Sequence, residues 1–355
     1  MTRQVDVLII GLGPAGAAAA AAAAHGGLSV LGVDRRHEIG LPVQCAEFIP
    51  LPMGKYATAD GILLQRIKGM KSYLPSGAVA ETDFPGLMID RAAFDQALAH
   101  EAVTQGAGLM LDSRLTRLDA AQSVARIKTP AGEIDVAYKL LIAADGPHSP
   151  VAEALGLPVM EVVTTRQYTV PLKRAYVDTD IWLSSAYPGG YAWLFPKGNL
   201  ANLGLGLDKR FAGDMKTPLD ALHQQLMAQD LVGAEISYRT GGAIPVGGLR
   251  EHLVVGKVLF TGDAAGLTHP ITGAGIAAAV ISGERAGQAA VACLKHDDRA
   301  ALEDFEEDIR DQFEVAVSRA VERRRWLDRF WNTEEAHADS LHRKSWVAFP
   351  DYFAA

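Results

Sequence analysis

The stretch from Val5 to Gly16 limits the folds open to this chain more than any other part of it. Val5–Ile10 is a short, β-branched apolar run and reads as a strand buried on both faces of a parallel sheet. Gly11-Leu12-Gly13-Pro14-Ala15-Gly16 follows, then an alanine-rich segment to Ala24, for which alanine's propensity predicts a helix. Gly26-Gly27 stops that helix, and Leu28–Val33 is a second β-run ending in Asp34-Arg35-Arg36. Together they predict a βαβ unit. In such a unit Gly11 permits the tight strand-to-helix turn, Gly13 lets a pyrophosphate reach the backbone, and Gly16 lets helix and strand pack closely. Free amides and the dipole of the helix start then stabilise phosphate charge. Asp34 stands about 20 residues beyond the glycines, where a carboxylate accepts hydrogen bonds from a ribose diol. That context favours nucleotide binding over an ordinary tight turn.

The remaining composition narrows the class. A chain of 355 residues has room for about two units or one large α/β domain. Its 34 Lys+Arg against 42 Asp+Glu give a net charge of −8, and this diffuse acidic balance argues against nucleic acid as a partner, which would need a concentrated basic face. Two cysteines, Cys45 and Cys293, cannot build a disulfide framework or a four-thiolate metal centre. No His/Cys/Asp cluster has metal-ligand spacing, so no metal is expected, and a cytoplasmic, reducing location is. Val5–Ala24 is apolar but is interrupted by Asp6, Gly11, Gly13, Pro14 and Gly16, whereas a spanning helix needs about 20 apolar residues. A protein that does not span the membrane is expected.

Three later signatures add chemistry. Asp90-Arg91-x-x-Phe94-Asp95 opens a helix predicted over Asp90–Gln105, where Arg91 either pairs with a phosphate or belongs to a solvated helix start. Tyr138–Ala143 reads as a central strand running into Asp145-Gly146-Pro147-His148-Ser149, all turn formers. Val254–Phe260 reads as a buried strand leading to Thr261-Gly262-Asp263-Ala264-Ala265, then His269-Pro270-Ile271-Thr272-Gly273-Ala274-Gly275 and a helix over Ala274–Cys293. An acid at a strand end can bind a sugar-alcohol hydroxyl. A glycine-rich helix start suits the edge of an isoalloxazine ring that becomes anionic on reduction. Between these parts, Thr164–Leu207 alternates in antiparallel fashion and carries Trp182, Tyr187, Tyr191, Trp193 and Phe195. The fold class predicted is α/β, a Rossmann-type domain (1–163 and 240–295) with an inserted antiparallel sheet (164–239). A helical tail (296–355) completes it, with Arg323-Arg324-Arg325 as a solvated face and Trp326, Trp331 and Trp346 as core cover or exposed patch.

The order of these four signatures resembles the FAD proteins of the para-hydroxybenzoate hydroxylase fold, and within them the geranylgeranyl reductase family. Tyr191-Ala192-Trp193-Leu194-Phe195-Pro196-Lys197-Gly198 followed by Asn202-x-Gly204-x-Gly206 is similar to that family's substrate-sheet motif. The resemblance spans roughly residues 5 to 290 and implies an oxidoreductase holding FAD. It implies Gly11, Gly13, Pro14, Ala15 and Gly16 at the diphosphate, Asp34 at the AMP ribose with Arg35 beside it, and Arg91 on the phosphate side. Asp263, with Asp145 and Gly262, would meet the ribityl or pyrophosphate region, and Pro270, Gly273, Ala274 and Gly275 would line the ring.

One loop departs from the family. Prenyl reductases carry a Pro-x-x-Cys-Gly-Gly type loop, and here it reads Pro42-Val43-Gln44-Cys45-Ala46-Glu47-Phe48. Losing the glycine pair is expected to alter the loop beside the ring, and a carboxylate there suits an apolar tail poorly unless it has a partner. Glu47 is a candidate proton carrier or polar-group binder, or else a solvated acid. Cys45 has a chemical role or fills space as a small hydrophobe. His269 hydrogen-bonds the ring or fills the helix approach. On this loop rests the expectation of an FAD-dependent monooxygenase hydroxylating an aromatic group, such as a tryptophan of a peptide or protein, as in relatives that mature quinone-containing amine dehydrogenases. The alternatives are an FAD-dependent prenyl double-bond reductase acting on a lipid and a non-enzymatic flavin electron relay. One fingerprint leaves no second Rossmann unit for NAD(P)H, so the reductant is a transiently bound nicotinamide or a separate redox partner.

Overall fold

The protein is described by a computed structural model covering residues 2–211 and 213–354. In chain order the elements are β1 (Thr2–Ile10), α1 (Pro14–His25), β2 (Val30–Val33), β3 (Phe48–Pro50), β4 (Leu63–Tyr73), β5 (Val79–Ile89), α2 (Arg91–Thr104), β6 (Gly108–Met110), β7 (Arg114–Asp119), β8 (Val124–Thr129) and β9 (Gly132–Ala143). They continue with α3 (Pro150–Ala154), β10 (Val162–Pro171), β11 (Asp178–Trp182), β12 (Ala192–Lys197), β13 (Leu200–Leu207), α4 (Lys216–Ala228), β14 (Tyr238–Thr240), β15 (Ala243–Pro245), β16 (Val254–Val255) and β17 (Val258–Phe260). Helices α5 (Gly262–Ala265), α6 (Ile276–Lys295), α7 (Ala301–Leu327) and α8 (Asp339–Ser345) follow.

The first sheet runs β16-β17-β9-β1-β2-β6, with the β7–β8 hairpin added beside β9. Its centre is parallel. Ile10 stands level with Val33 on one side and with Ala143 on the other, and Phe260 is level with Ala143. Four strand ends therefore share one edge, the place where open α/β sheets bind ligands. Helix α1 is an alanine helix because it has no outer face. It is buried along nearly its whole length between this sheet and α6, as a helix that is apolar all round must be. The helices approach so closely that a Cβ at Gly283 would stand 2.1 Å from the Ala15 carbonyl oxygen.

The second sheet runs β14-β10-β13-β12-β11-β4-β5-β3, with β15 on β10. Leu219, Leu222 and Leu226 of α4 cover one face, packing with Tyr168, Val170, Leu194, Leu203 and Leu205. The opposite face carries Met70, Ile181 and Trp193, and joins Ala46 and Ile271 in one cluster. This is the expected α/β fold with a second, mainly antiparallel sheet.

Three details differ from expectation. Residues 48–50, 63–73 and 79–89 lie in the second sheet, ahead of the stretch assigned to it, and β4 pairs with β11 in parallel. Val254–Phe260 is a hairpin because Gly256, at φ +60°, reverses the chain between two short strands. Arg324 is no solvated residue: it is 6% exposed and donates to the Gly189 carbonyl at 2.7 Å and to Asp208 at 2.8 Å. Trp331 and Trp346 are buried. No described helix is long and apolar enough to cross a membrane.

Candidate functional site

The glycine turn at the end of β1 forms an open cradle. Gly11 takes φ +93°, and a Cβ there would meet the Ala144 carbonyl oxygen at 2.3 Å, so only glycine fits between the ends of β1 and β9. A Cβ on Gly16 would stand 1.8 Å from the Gly11 carbonyl oxygen. Gly13 behaves differently. It is the N-cap of α1, no side chain caps that helix start, and a Cβ on it would meet nothing within 4 Å. Pro14 and Ala15 complete the first turn. This is space next to unclaimed helix amides, which fits a diphosphate. Asp34, 9% exposed, braces the turn: Leu12 N donates to Oδ2 at 2.7 Å and Arg36 N to Oδ1 at 2.9 Å. The carboxylate's other lone pairs remain for ribose hydroxyls, and Arg35 beside it is exposed.

At the same edge β9 and β17 deliver two acids. Asp145 Oδ2 accepts from Val151 N at 3.0 Å, while its Oδ1 is buried with no protein partner, and burial raises its pKa. Asp263 accepts from Thr268 Oγ1; burial raises its pKa and Arg91 opposes the shift. Gly262, at φ +55°, donates its amide to Ser282 Oγ at 3.0 Å. Pro270, Gly273 and Ala274 form the turn before α6, Gly273 at φ +70°, and Gly275 leaves the α6 start without a side-chain cap. The His269 ring shapes this turn, because its Nδ1 accepts from Ile271 N at 3.3 Å and Thr272 N at 3.2 Å. Burial pushes the imidazole down to about 4, so the ring is neutral, with its proton on Nε2.

Arg91 enters between these groups. Its Nε and Nη2 donate to the two oxygens of Asp95 at 2.7 and 3.2 Å, four residues on along α2. Burial works against the guanidinium charge, but the Asp95 carboxylate outweighs it. Asp95 thus holds two of the guanidinium's three nitrogens.

The Cys45 loop is held from three directions. Glu47 is 2% exposed and adopts φ +70°, a left-handed conformation costing a non-glycine residue about 1–3 kcal/mol. Its carboxylate accepts from Arg91 N at 3.1 Å, from Asn202 Nδ2 at 2.7 Å and from Lys197 Nζ. Its own N–H donates to Cys45 Sγ at 3.2 Å. Gln167 Nε2 donates to the Cys45 carbonyl at 3.0 Å and Asn202 Nδ2 to that of Ala46 at 3.2 Å. Glu47 is therefore neither a solvated loop acid nor unpartnered, and the loop keeps a glycine-like turn without the glycine.

The rest of the wall is aromatic. Strand alternation puts Trp193, Phe195 and Lys197 on one face of β12, level with Gln167 and Asn202 on neighbouring strands. Trp193 Nε1 donates to Gln167 Oε1 at 3.2 Å, and the Tyr191 hydroxyl donates to the Thr272 carbonyl. Trp346 packs against Tyr191, and Phe48 against Phe195 with ring centroids 5.9 Å apart. Sequence reasoning missed Asp95, Gln167, Lys197, Asn202 and Trp346 as parts of this region. Asp95 had a local signal in its i, i+4 spacing from Arg91, and Lys197 and Asn202 lay in the motif already singled out.

A family model described as the geranylgeranyl reductase catalytic domain matches residues 162–242. Digeranylgeranylglycerophospholipid reductase 1 of Methanopyrus kandleri is 35% identical over 336 residues, covering 88% of this chain and 89% of that protein. A geranylgeranyl bacteriochlorophyll reductase-like protein of Thermoplasma acidophilum superposes with a TM-score of 0.86 at 27% identity, covering 97% of this chain and 92% of that one. A flavin-dependent halogenase shares the fold at TM-score 0.75 and 19% identity, covering 95% of this chain and 67% of that one. These matches overturn the expectation of an aromatic hydroxylase. The relative similar along nearly its whole length is a reductase by name, and the loop acid on which that expectation stood has partners.

Proposed function

The chain belongs to the geranylgeranyl reductase family of flavin-dependent oxidoreductases, and from that membership we propose that it saturates carbon–carbon double bonds of prenyl chains, using FAD on a digeranylgeranyl glycerophospholipid. The observation that carries this reading is the pairing of Glu47. A bare carboxylate beside an isoprenoid would be costly to desolvate. Here Arg91 N, Asn202 and Lys197 take its oxygens, and the wall beside Ala46 consists of Tyr191, Trp193, Phe195 and Ile271. Such a lining suits hydrocarbon.

In this reading Gly11, Gly13, Pro14, Ala15 and Gly16 hold the diphosphate, Asp34 and Arg35 the adenosine ribose, and Asp145, Gly262 and Asp263 the ribityl end. Arg91 lies alongside, and Pro270, Gly273, Ala274 and Gly275 follow the ring. When bound and reduced, FAD supplies a hydride. The protein's tasks are to lay an alkene carbon against the ring, to exclude water, and to give a proton to the other alkene carbon. In this reading Cys45 carries the last task; it is half-buried, and its sulfur accepts from the Glu47 amide. The proton leaves Sγ for carbon and is restored from solvent, so each double bond gains two hydrogens and two electrons. His269 shapes the turn along the ring. The reductant, a nicotinamide or a redox protein, has no second βαβ cradle among the described residues and approaches from the surface.

Anaerobic mixing of the reduced holoprotein with the lipid tests this. Oxidised flavin absorbance should return while the lipid gains the mass of two hydrogens per double bond. Cys45→Ala should keep its flavin and slow that step about 10²-fold. Reduced flavin that persists beside unaltered lipid would sink the reading.

A further inference from the structure

Glu47 spends its contacts on a task that burial alone does not require. Its left-handed backbone turns its own amide back onto the sulfur two residues earlier, at 3.2 Å. Strained positions of this kind persist only where their surroundings over-determine them, and they cluster at functional sites. The surroundings here are long-range. Ile89 N donates to the Glu47 carbonyl at 3.0 Å, and the carboxylate ties the loop to the start of α2 through Arg91 N. It also ties the loop to β12 and β13 through Lys197 and Asn202. Asn202 is fixed in turn, since Thr169 Oγ1 donates to its Oδ1 at 3.1 Å. The Cys45 sulfur is therefore located by a residue whose own place is set by the substrate-side sheet.

From this geometry we infer that Glu47, Lys197 and Asn202 are positioning residues, a buried latch that joins the cysteine loop to the substrate sheet and fixes the direction of the Cys45 sulfur. The inference rests on the reading of Cys45 as the proton-delivering group. The ammonium of Lys197 pairs with the Glu47 carboxylate, and Asn202 supplies the direction by bonding that carboxylate and the Ala46 carbonyl together. Glycine at position 47 would accept the backbone turn and lose the latch. Glutamine would keep the shape and lose the ion pair.

The test uses the flavin-loaded full chain with Cys293→Ser, so that Cys45 alone reports. The rate of Cys45 alkylation by iodoacetamide is measured in Glu47→Gly, Glu47→Gln and Lys197→Met. Each variant's melting temperature and flavin content are recorded beside it. The latch predicts a several-fold change in alkylation rate for Glu47→Gly and Lys197→Met, and a smaller one for Glu47→Gln. It also predicts a fall in kcat of about 10²-fold in Glu47→Gly with KM little changed, the cost of a misplaced reacting group. Should Lys197→Met not fold, Glu47→Gln decides the matter. Folded variants that alkylate and turn over like the parent overturn the inference. Because alkylation needs no lipid, it still tests the latch if the protein turns out to reduce no prenyl chain.

Discussion

The indole of Trp346 stands edge-on to the phenol of Tyr191, with ring centroids 4.8 Å apart. The contact joins the C-terminal segment to the turn before α6, because the Tyr191 hydroxyl donates to the Thr272 carbonyl there. Trp346 is 3% exposed and shares a cluster with Trp193, Ile181 and Phe349. Trp346→Ala should cost about 3–5 kcal/mol of stability by leaving a cavity. It should also raise KM for the lipid more than it lowers kcat, since the variant loses wall and keeps Cys45. Denaturant titration and steady-state kinetics check both parts, and Trp346→Phe should recover most of each.

The glycine turn gives a sharper contrast. A Cβ at position 16 collides with the Gly11 carbonyl oxygen at 1.8 Å, whereas a Cβ at position 13 meets nothing within 4 Å. Gly16→Ala should therefore unfold or severely destabilise the protein with or without flavin. Gly13→Ala should fold with stability within about 1 kcal/mol of the parent as apoprotein, yet bind FAD at least about tenfold more weakly, since its methyl occupies the space of the diphosphate. Melting curves of the apoproteins and flavin titrations separate the two. Equal flavin affinity in Gly13→Ala would remove the diphosphate from that cradle.

The buried imidazole of His269 predicts a pH dependence. Burial lowers its pKa from 6.5 to about 4, so between those values the unfolded chain binds a proton that the native protein does not. Stability from this group is complete above about pH 6.5 and is lost as pH falls toward 4, by up to about 1.4 kcal/mol per pH unit. His342, also depressed by burial, acts in the same direction. Asp145 and Asp263, raised by burial, act in the opposite one, binding protons more readily when folded. Comparing the parent with His269→Asn isolates the imidazole, because the amide oxygen can accept from Ile271 and Thr272 without titrating. Urea denaturation of the apoproteins from pH 7 to 4 should give a steeper decline for the parent.

What could be read from the sequence was local. The cradle was legible because Gly11, Gly13 and Gly16 act on the backbone within one turn, and Asp34 lies at the end of the very next strand. The antiparallel layer was legible from alternation, but β4 and β5 were left out of it because they precede α2 and nothing local states which sheet a strand joins. The solvated-acid alternative for Glu47 failed for the same reason. Its partners Arg91, Lys197 and Asn202 lie 44, 150 and 155 residues away, so its cost could be seen in the sequence and its compensation could not. Trp346 was read as core cover or exposed patch, and it is buried; its contact with Tyr191, far away in sequence, had no local signal.

Arg324 and Asp208 carry the last prediction. Arg324 lies on α7 and Asp208 just beyond β13, and both are almost wholly buried. Arg210 adds ion pairs to Asp208 at 2.6 Å, Glu161 at 2.8 Å and Asp328 at 2.8 Å, so the knot fastens the long C-terminal helix to the second sheet. Burial alone would raise the Asp208 pKa, but the two arginines hold it below the usual carboxylate range. Losing Arg324 leaves Asp208 buried with Arg210 as its one remaining cation, so the cost falls below the about 3–5 kcal/mol of a fully orphaned buried charge, and removing both buried partners together costs less. Arg324→Met should thus be the more damaging change, with Arg324→Met plus Asp208→Leu partly recovering it. The damage should reach the aromatic wall at Tyr191, because α7 carries the segment that presents Trp346 to it. Arg324→Met ought to raise KM for the lipid as well as lower the melting temperature, while flavin affinity, proposed to rest on the first sheet, stays unchanged. A lowered melting temperature with an unchanged KM would separate the knot from the site.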